Sequence, residues 1–360
     1  MRGILDLKFG LITFFMANIL YAVCGEGSGH SARAKVVIRH LIEKGHTLHI
    51  VSYDKGIKNL NPYFDVQEIY GLHFTYENNE VQYLPTVFQT ILGLPAAAKS
   101  IQFLTKFVEE KNIQLLITDF EPLSCYVANI KRIPVISLDN QHAFTMANVD
   151  YPKQYHKEAM AARMVTKLFI PKATNYLALT FFPEKPKGKK TFFFPPVLRP
   201  EILSAEPKEG NFILLYFTSP FVEILPLLKN IKKKFVCYGL GKVGKEGNVV
   251  CKKPSEKEFL KDLLSCEAVI ANSGFTLVAE ALHLGKPYLA IPVQAQFEQI
   301  LNAYYVEKLG FGKYYDELDR EKIEAFLSEL KKYKKKLKKY KRQDNTKLFK
   351  KLDALIKNLF

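Results

Sequence analysis

The chain has no tryptophan, and only five cysteines and five methionines among 360 residues. Cysteines at 24, 125, 237, 251 and 266 are too few for a disulfide scaffold, and most stand in apolar runs where a reduced thiol is a small hydrophobe. That usage fits a reducing cytoplasm. No apolar run approaches the roughly 18 residues of a spanning helix, so an integral helical membrane protein is not expected. There is no Asp-x-Asp pair and no Cys/His cluster of zinc spacing, so no metal is expected either. What the chain does have is a 48% apolar fraction with 27 Phe and 19 Tyr, which excludes wholesale disorder and supplies a core. The net charge of +16 is uneven: residues 331–360 carry 13 Lys or Arg against two Asp. The rest of the chain is only mildly basic.

Residues 1–15 are largely apolar, but they lack a small-residue cleavage site and a strand-like run, 19–23, follows at once. The expectation is a misassigned start upstream of Met16 or a disordered extension. From Asn18 the pattern runs strand, Gly-rich turn, amphipathic helix and a second strand at 47–51, a βαβ unit. Further strands are predicted at 66–69, 115–118, 135–138 and 176–179, with a helix over 97–111. A Pro-rich break over 195–210 reads as a linker, and strands resume at 212–217, 234–238, 249–251, 268–271 and 288–291. The fold class expected is α/β: two doubly wound Rossmann-like domains, 16–200 and 201–330, facing across a cleft, with a basic amphipathic helical tail over 331–360.

Two segments carry chemistry. Gly25-Glu26-Gly27-Ser28-Gly29-His30 follows the first strand and opens a helix, so free N-H groups and the positive end of a helix dipole face any ligand there. It departs from the dinucleotide fingerprint in its spacing and in lacking an acid at the end of the second strand. His30 at this helix start has a ring nitrogen able to take a proton from a hydroxyl, although a lone histidine also reads as a capping or packing residue. Asp119, at the carboxyl end of the strand 114–118, can hold the other ring nitrogen, or simply begin a turn with Phe120-Glu121-Pro122. Asp139-Asn140-Gln141-His142 follows the next strand onto the same rim. In the second half, Asn272-Ser273-Gly274-Phe275-Thr276 leaves a strand and opens a helix bearing Glu280, and Gln294 to Ala303 follows the strand after it. Small residues and a hydroxyl at a helix start suit a diphosphate, and Glu280, one turn beyond Thr276, can reach ribose hydroxyls.

Taken in order, these motifs resemble those of inverting GT-B glycosyltransferases. The second-half motif is similar to their nucleotide-sugar signature, and the Gly-rich turn with His30 to their amino-terminal acceptor motif. The resemblance spans about residues 18–325 and is most specific at 268–303. The motifs are similar to those of the N-acetylglucosaminyltransferase acting on the lipid-linked peptidoglycan precursor, the UDP-glycosyltransferases, and prokaryotic glycosyltransferase-like proteins with similar GEGSGH and QFEQ motifs. The resemblance implies His30 as base with Asp119 as its partner, and an acceptor side of Gly27, Ser28, Gly29, Asn140 and His142. On the donor side it implies Ser273, Gly274, Phe275 and Thr276 at the diphosphate with the Ser219 hydroxyl, Glu280 at the ribose, and Gln296, Glu298 and Gln299 at the sugar. The tryptophan that stacks on uracil in the plant enzymes is absent, which leaves base contacts to backbone near Lys253-Pro254.

The implied reaction is metal-independent transfer of a hexose or N-acetylhexosamine from a UDP-sugar, with inversion and no cofactor, to a lipid-linked or glycolipid hydroxyl. A UDP-sugar 2-epimerase of the same fold, or a non-catalytic binder of nucleotide-sugar or polyanion, is the alternative. Residues 72–104, with Tyr76, Tyr83, Phe88 and the turn 92–95, suit an acceptor wall or equally a packed helix pair. The tail pairs a narrow stripe, Tyr333, Leu337 and Tyr340, with a broader one formed by Leu348, Leu352, Leu355, Ile356, Leu359 and Phe360. Lying on the anionic inner face of the cell membrane is one reading of it, and packing back on the first domain another. Nucleic acid is not an expected partner.

Overall fold

The computed structural model describes residues 16–71, 75–77, 80–82, 93–218 and 221–360. Residues 1–15, with their expected misassigned start, lie outside these, as do Ser219 and much of the expected acceptor wall, including Tyr83, Phe88 and Leu92.

In the first half, β1 (Asn18–Val23), β2 (Thr47–Ser52) and β3 (Val66–Glu68) precede a small hairpin, β4 (Thr75–Glu77) and β5 (Glu80–Gln82). Then come β6 (Leu115–Asp119), β7 (Val135–Asp139), β8 (Asn175–Leu179) and β9 (Thr191–Phe194). Apart from the hairpin these form one parallel seven-stranded sheet, ordered β3-β2-β1-β6-β7-β8-β9. Alternate residues of β1 enter different cores: Ile19, Tyr21 and Val23 one, Leu20 and Ala22 the other. That is why the strand is apolar throughout rather than alternating.

The second half repeats the plan with β10 (Phe212–Tyr216), β11 (Lys234–Tyr238), β12 (Gly244–Glu246), β13 (Val249–Cys251), β14 (Ala268–Ala271), β15 (Tyr288–Ala290) and β16 (Gly312–Tyr314). The order is β12-β13-β11-β10-β14-β15-β16, with only β12 antiparallel to its neighbour. In each sheet the order reverses beside the first strand, between β1 and β6 and between β10 and β14. Loops leaving the carboxyl ends of such strand pairs diverge and open a crevice. The chain is thus a pair of doubly wound, Rossmann-like halves, as the sequence pattern predicts.

The stretch expected to be a linker is packed rather than loose. Val197 and Leu198 are buried, and Asn345 holds the Leu198 backbone through both ends of its amide, at 3.0 and 2.8 Å. The tail differs from its membrane reading for the same reason, since its apolar side chains complete the protein core. Tyr333 joins the core of the second sheet, whereas Leu337, Leu348, Leu352, Leu355 and Ile356 join the large core that includes first-half residues. The terminal helix Thr346–Leu359 docks on the first-half helix Ser28–Glu43: Phe349 stacks on His40 with ring centroids 4.0 Å apart, and Asp353 lies 2.7 Å from the His40 Nε2. The lysines face solvent and Phe360 at the end of the stripe stays exposed, while the rest of both stripes is wholly or partly buried against the body, which removes their apolar surface from water.

Candidate active site

The turn after β1 swings through Gly27, whose φ of 78° lies where a side chain is disfavoured, into the helix Ser28–Glu43. His30 stands in its first turn with its Nδ1 2.7 Å from Asp119 Oδ1. Asp119 is there because β1 and β6 are neighbours in register, with Val23 opposite Asp119. The chain then turns sharply at Phe120, φ 59°, and Glu121 rather than Asp119 caps the helix Pro122–Ile130, accepting from the Leu123 and Ser124 amides at 2.8 Å each. With Glu121 capping, the Asp119 carboxylate is free to face His30.

A third member of the cluster carries no sequence expectation. Arg33, one helical turn beyond His30 and 3% exposed, donates from Nε to Asp119 Oδ2 at 2.6 Å and from Nη2 to Oδ1 at 2.5 Å. Its Nη1 donates to Asn140 Oδ1 at 2.7 Å, which accounts for the placement of Asn140. Burial opposes the guanidinium charge, but the Asp119 carboxylate beside it and, further off, Asp139 and Glu298 together strengthen its hold on the proton. Arg33 Nη2 also lies 2.8 Å from His30 Nδ1. Two N-H groups cannot both donate along that line, so the ring either gives Nδ1-H to Asp119, leaving Nε2 as a base, or accepts from Arg33 and carries its proton on Nε2. Its signal in the sequence is a charged residue between two alanines on the inward face of an amphipathic helix.

A second histidine-carboxylate pair stands one strand further on. His142 is buried, its Nδ1 lying 2.7 Å from Asp139 Oδ2, and the Ser137 hydroxyl donates to the same oxygen at 2.5 Å. Burial tends to raise the Asp139 carboxyl, but His142, the Ser137 hydroxyl and the His142 amide together bring it down to about 2. His142 stays on the expected acceptor-side rim as a buried, fixed ring.

On the facing rim, Ser273 and Gly274 lead from β14 into the helix Phe275–His283. A Cβ placed on Gly29 would stand 2.7 Å from the Thr276 hydroxyl, so the two helix N-termini, and the Ser28 and Gly29 backbone with them, meet Thr276 directly. Phe275 is buried and packs against Phe181. The Ser273 hydroxyl is fully buried and donates to the Gln299 carbonyl at 2.8 Å, while Asn302 holds the Ser273 carbonyl at 2.9 Å. Its side chain braces the loop, and Thr276 is the hydroxyl presented. The Gln299 amide is buried, its oxygen accepting from the Val293 amide at 3.1 Å and its nitrogen donating to Gln296 Oε1 at 2.7 Å, which leaves one N-H over. Glu298 accepts from Gln141 of the first half at 2.8 Å, and the Gln141 amide oxygen is buried without a partner.

Glu280 is 2% exposed, and burial raises its carboxyl against the opposing charge of Arg199. Arg199, from the segment between the sheets, donates from Nε to Glu280 Oε1 at 2.6 Å and from Nη1 to Glu256 at 2.8 Å. The carboxylate thus has the partner that its apolar neighbours demand, in a residue the sequence had suggested only as linker. Among the described residues, no group of three His, Cys, Asp or Glu side chains gathers to hold a metal ion, and no helix is long and apolar enough to cross a membrane.

The chain is similar to known proteins in sequence and in fold. An uncharacterized glycosyltransferase of Methanosarcina acetivorans is 24% identical, covering 82% of this chain and 85% of its own. Among solved structures, the glycosyltransferase of kitacinnamycin superposes with a TM-score of 0.68 at 16% identity, covering 95% of this chain and 99% of its own. MurG of Acinetobacter baumannii does so with a TM-score of 0.59 at 13% identity over 95% and 99% of the two chains. The model of glycosyl transferase family 1 matches residues 17–331, and with both crevice rims inside that match the chain belongs to this family and is a glycosyltransferase of GT-B fold.

Proposed function

We propose that the enzyme transfers a hexose or N-acetylhexosamine from a UDP-sugar to an acceptor hydroxyl by a single displacement that inverts the anomeric centre, without a metal ion or cofactor. The observation that carries this reading is the His30–Asp119 contact of 2.7 Å at a helix N-terminus that meets a second helix N-terminus across the crevice. Asp119 holds Nδ1-H, and Nε2 takes the proton of the acceptor hydroxyl as its oxygen attacks the anomeric carbon. The leaving diphosphate gains charge where the N-H groups around Gly274, Phe275 and Thr276 and the positive end of their helix stabilise it. With its Oε1 held by Arg199, Glu280 offers Oε2 to the ribose, while Gln296, Glu298 and Gln299, with Gln141 beside Glu298, serve the sugar.

The acceptor we propose is lipid-linked or a glycolipid, in keeping with the motif resemblance to the peptidoglycan-precursor enzyme. The outward lysines of residues 331–342 then attract an anionic membrane surface by charge rather than by insertion, since the stripes between them are core. Removing the tail would therefore disrupt the core, and Lys-to-Gln substitutions on its outer face are the sound test in liposome flotation.

The reaction is tested by incubating the enzyme with UDP-sugars and candidate acceptors and reading the product's anomeric configuration by NMR. Inversion, with turnover lowered about a hundredfold or more in His30→Ala at near-normal donor affinity, is expected. Retention of configuration, a 2-epimer formed without acceptor, or an active His30 variant refutes it.

A further inference from the structure

At the opposite end of the second sheet from the crevice, a cavity of about 550 Å³ opens between the segment around Lys208, the end of the helix Phe275–His283 and the tail. Its walls carry Lys208, Lys286, Lys334, Lys338 and Arg342, against two carboxylates, Glu209 and Glu267. Both carboxylates are already engaged: Lys334 pairs with each of them, and Lys233 also pairs with Glu267. Lys208, Lys338 and Arg342 make no ion pair among the described residues.

Lys286 is the unusual member. It is 5% exposed and forms no ion pair among the described residues, the nearby Glu209 being paired with Lys334, and donates instead to the Lys208 and Cys266 carbonyls at 2.7 Å each. An ammonium has three donors, so one N-H remains after these two bonds. Burial weakens its hold on the proton, which a bound anion would restore. Tyr340 and Leu337 supply an apolar floor, and the cationic rim rises from it. Helix ends alone would attract some of these lysines. They do not account for a concave site with a surplus of unpaired cations and a buried ammonium behind it.

We infer that this cavity binds a phosphate-bearing anion, separate from the donor crevice. The distance supports the separation, because the nine-residue helix Phe275–His283 runs between the donor loop and the cavity and is about 13 Å long. Either a soluble diphosphate or the headgroup of an anionic lipid supplies this chemistry.

The test is calorimetric titration of the full-length enzyme with inorganic diphosphate, comparing wild type with a Lys338→Ala/Arg342→Ala variant. Both positions are exposed, so the fold is retained, which circular dichroism checks. Wild type is expected to show two sites, one removed by excess UDP. In the variant the UDP-insensitive site should weaken tenfold or more while the other is unchanged. An unchanged UDP-insensitive site in the variant, or none in wild type, overturns the inference. Loss of UDP competition alone would instead count against the donor reading. Flotation with vesicles of phosphatidylcholine and phosphatidylglycerol then separates the sources: diphosphate that blocks wild-type flotation assigns the site to a lipid headgroup, and binding of diphosphate without flotation assigns it to a soluble ligand.

Discussion

Removing Arg33 should be far more costly than its position on a surface helix would suggest. Its side chain is 3% exposed and Asp119 is fully buried, and two hydrogen bonds of 2.6 and 2.5 Å join them. Arg33→Met leaves that carboxylate with His30 as its remaining side-chain partner, and a buried pair broken on one side typically costs about 3–5 kcal/mol. The direct attraction, for charges about 4 Å apart at an effective dielectric of about 20, is about 4 kcal/mol. Asp119→Asn makes the opposite defect, an unpaired buried guanidinium, while the double variant leaves neither charge. Urea unfolding of the four proteins should therefore show each single variant several kcal/mol less stable, the double variant no worse than either single one, and a coupling of about 2 kcal/mol or more. Additive losses with coupling below about 0.5 kcal/mol would refute the buried pair as the element that fixes Asp119. Where Arg33→Met is too unstable to purify, Arg33→Lys keeps the charge but loses the two-pronged geometry, and its turnover should fall with little change in donor affinity.

Glu280→Ala should weaken binding of free UDP as well as of UDP-sugar in calorimetry; equal affinity for UDP would remove Glu280 from the ribose. Asp139 is held down at about 2 from an ordinary 3.8, so its pairing stabilises the fold fully above about pH 4 and the contribution is lost as pH falls through 2. At about 1.36 kcal/mol per unit that is about 2 kcal/mol, and Asp139→Asn should flatten that stretch of the acid unfolding curve. Gly29→Ala should lower activity more than stability, because its methyl group meets the Thr276 hydroxyl, and adding Thr276→Ala should recover part of the loss. An undiminished rate in Gly29→Ala would mean that the two helix ends do not approach during the reaction.

The sheet was legible in the sequence wherever a strand is buried on both faces. Strands such as β1, β6 and β14 are uninterrupted apolar runs closed by polar residues, and their ends fall within a residue of the pattern. Of the four edge strands β3 was legible, and the other three were not: β12 is wholly exposed, β16 is three residues long, and β9, Thr-Phe-Phe-Phe, follows a lysine-rich stretch that reads as loop. His30 and Asp119 were legible because strand ends on one rim converge whatever the intervening chain does. Arg33 and Arg199 were not, because an arginine's reach is set by tertiary neighbours and not by local pattern. The bonds of Ser273 and Gln299 within their own loop were not legible either, for the same reason. The tail stripes were visible, but periodicity gives an apolar face without saying what covers it.

The stitch between Leu198 and Asn345 has a mechanical consequence. The polypeptide passes from the first sheet to the second near Leu198 and returns to the first before Thr346, so two crossings lie side by side, tied by a pair of amide hydrogen bonds. A single crossing would be a swivel, free to turn about any direction. Two adjacent crossings joined in this way would restrict any opening of the crevice to rotation about the line through them, and closing would return His30 to its place opposite Thr276.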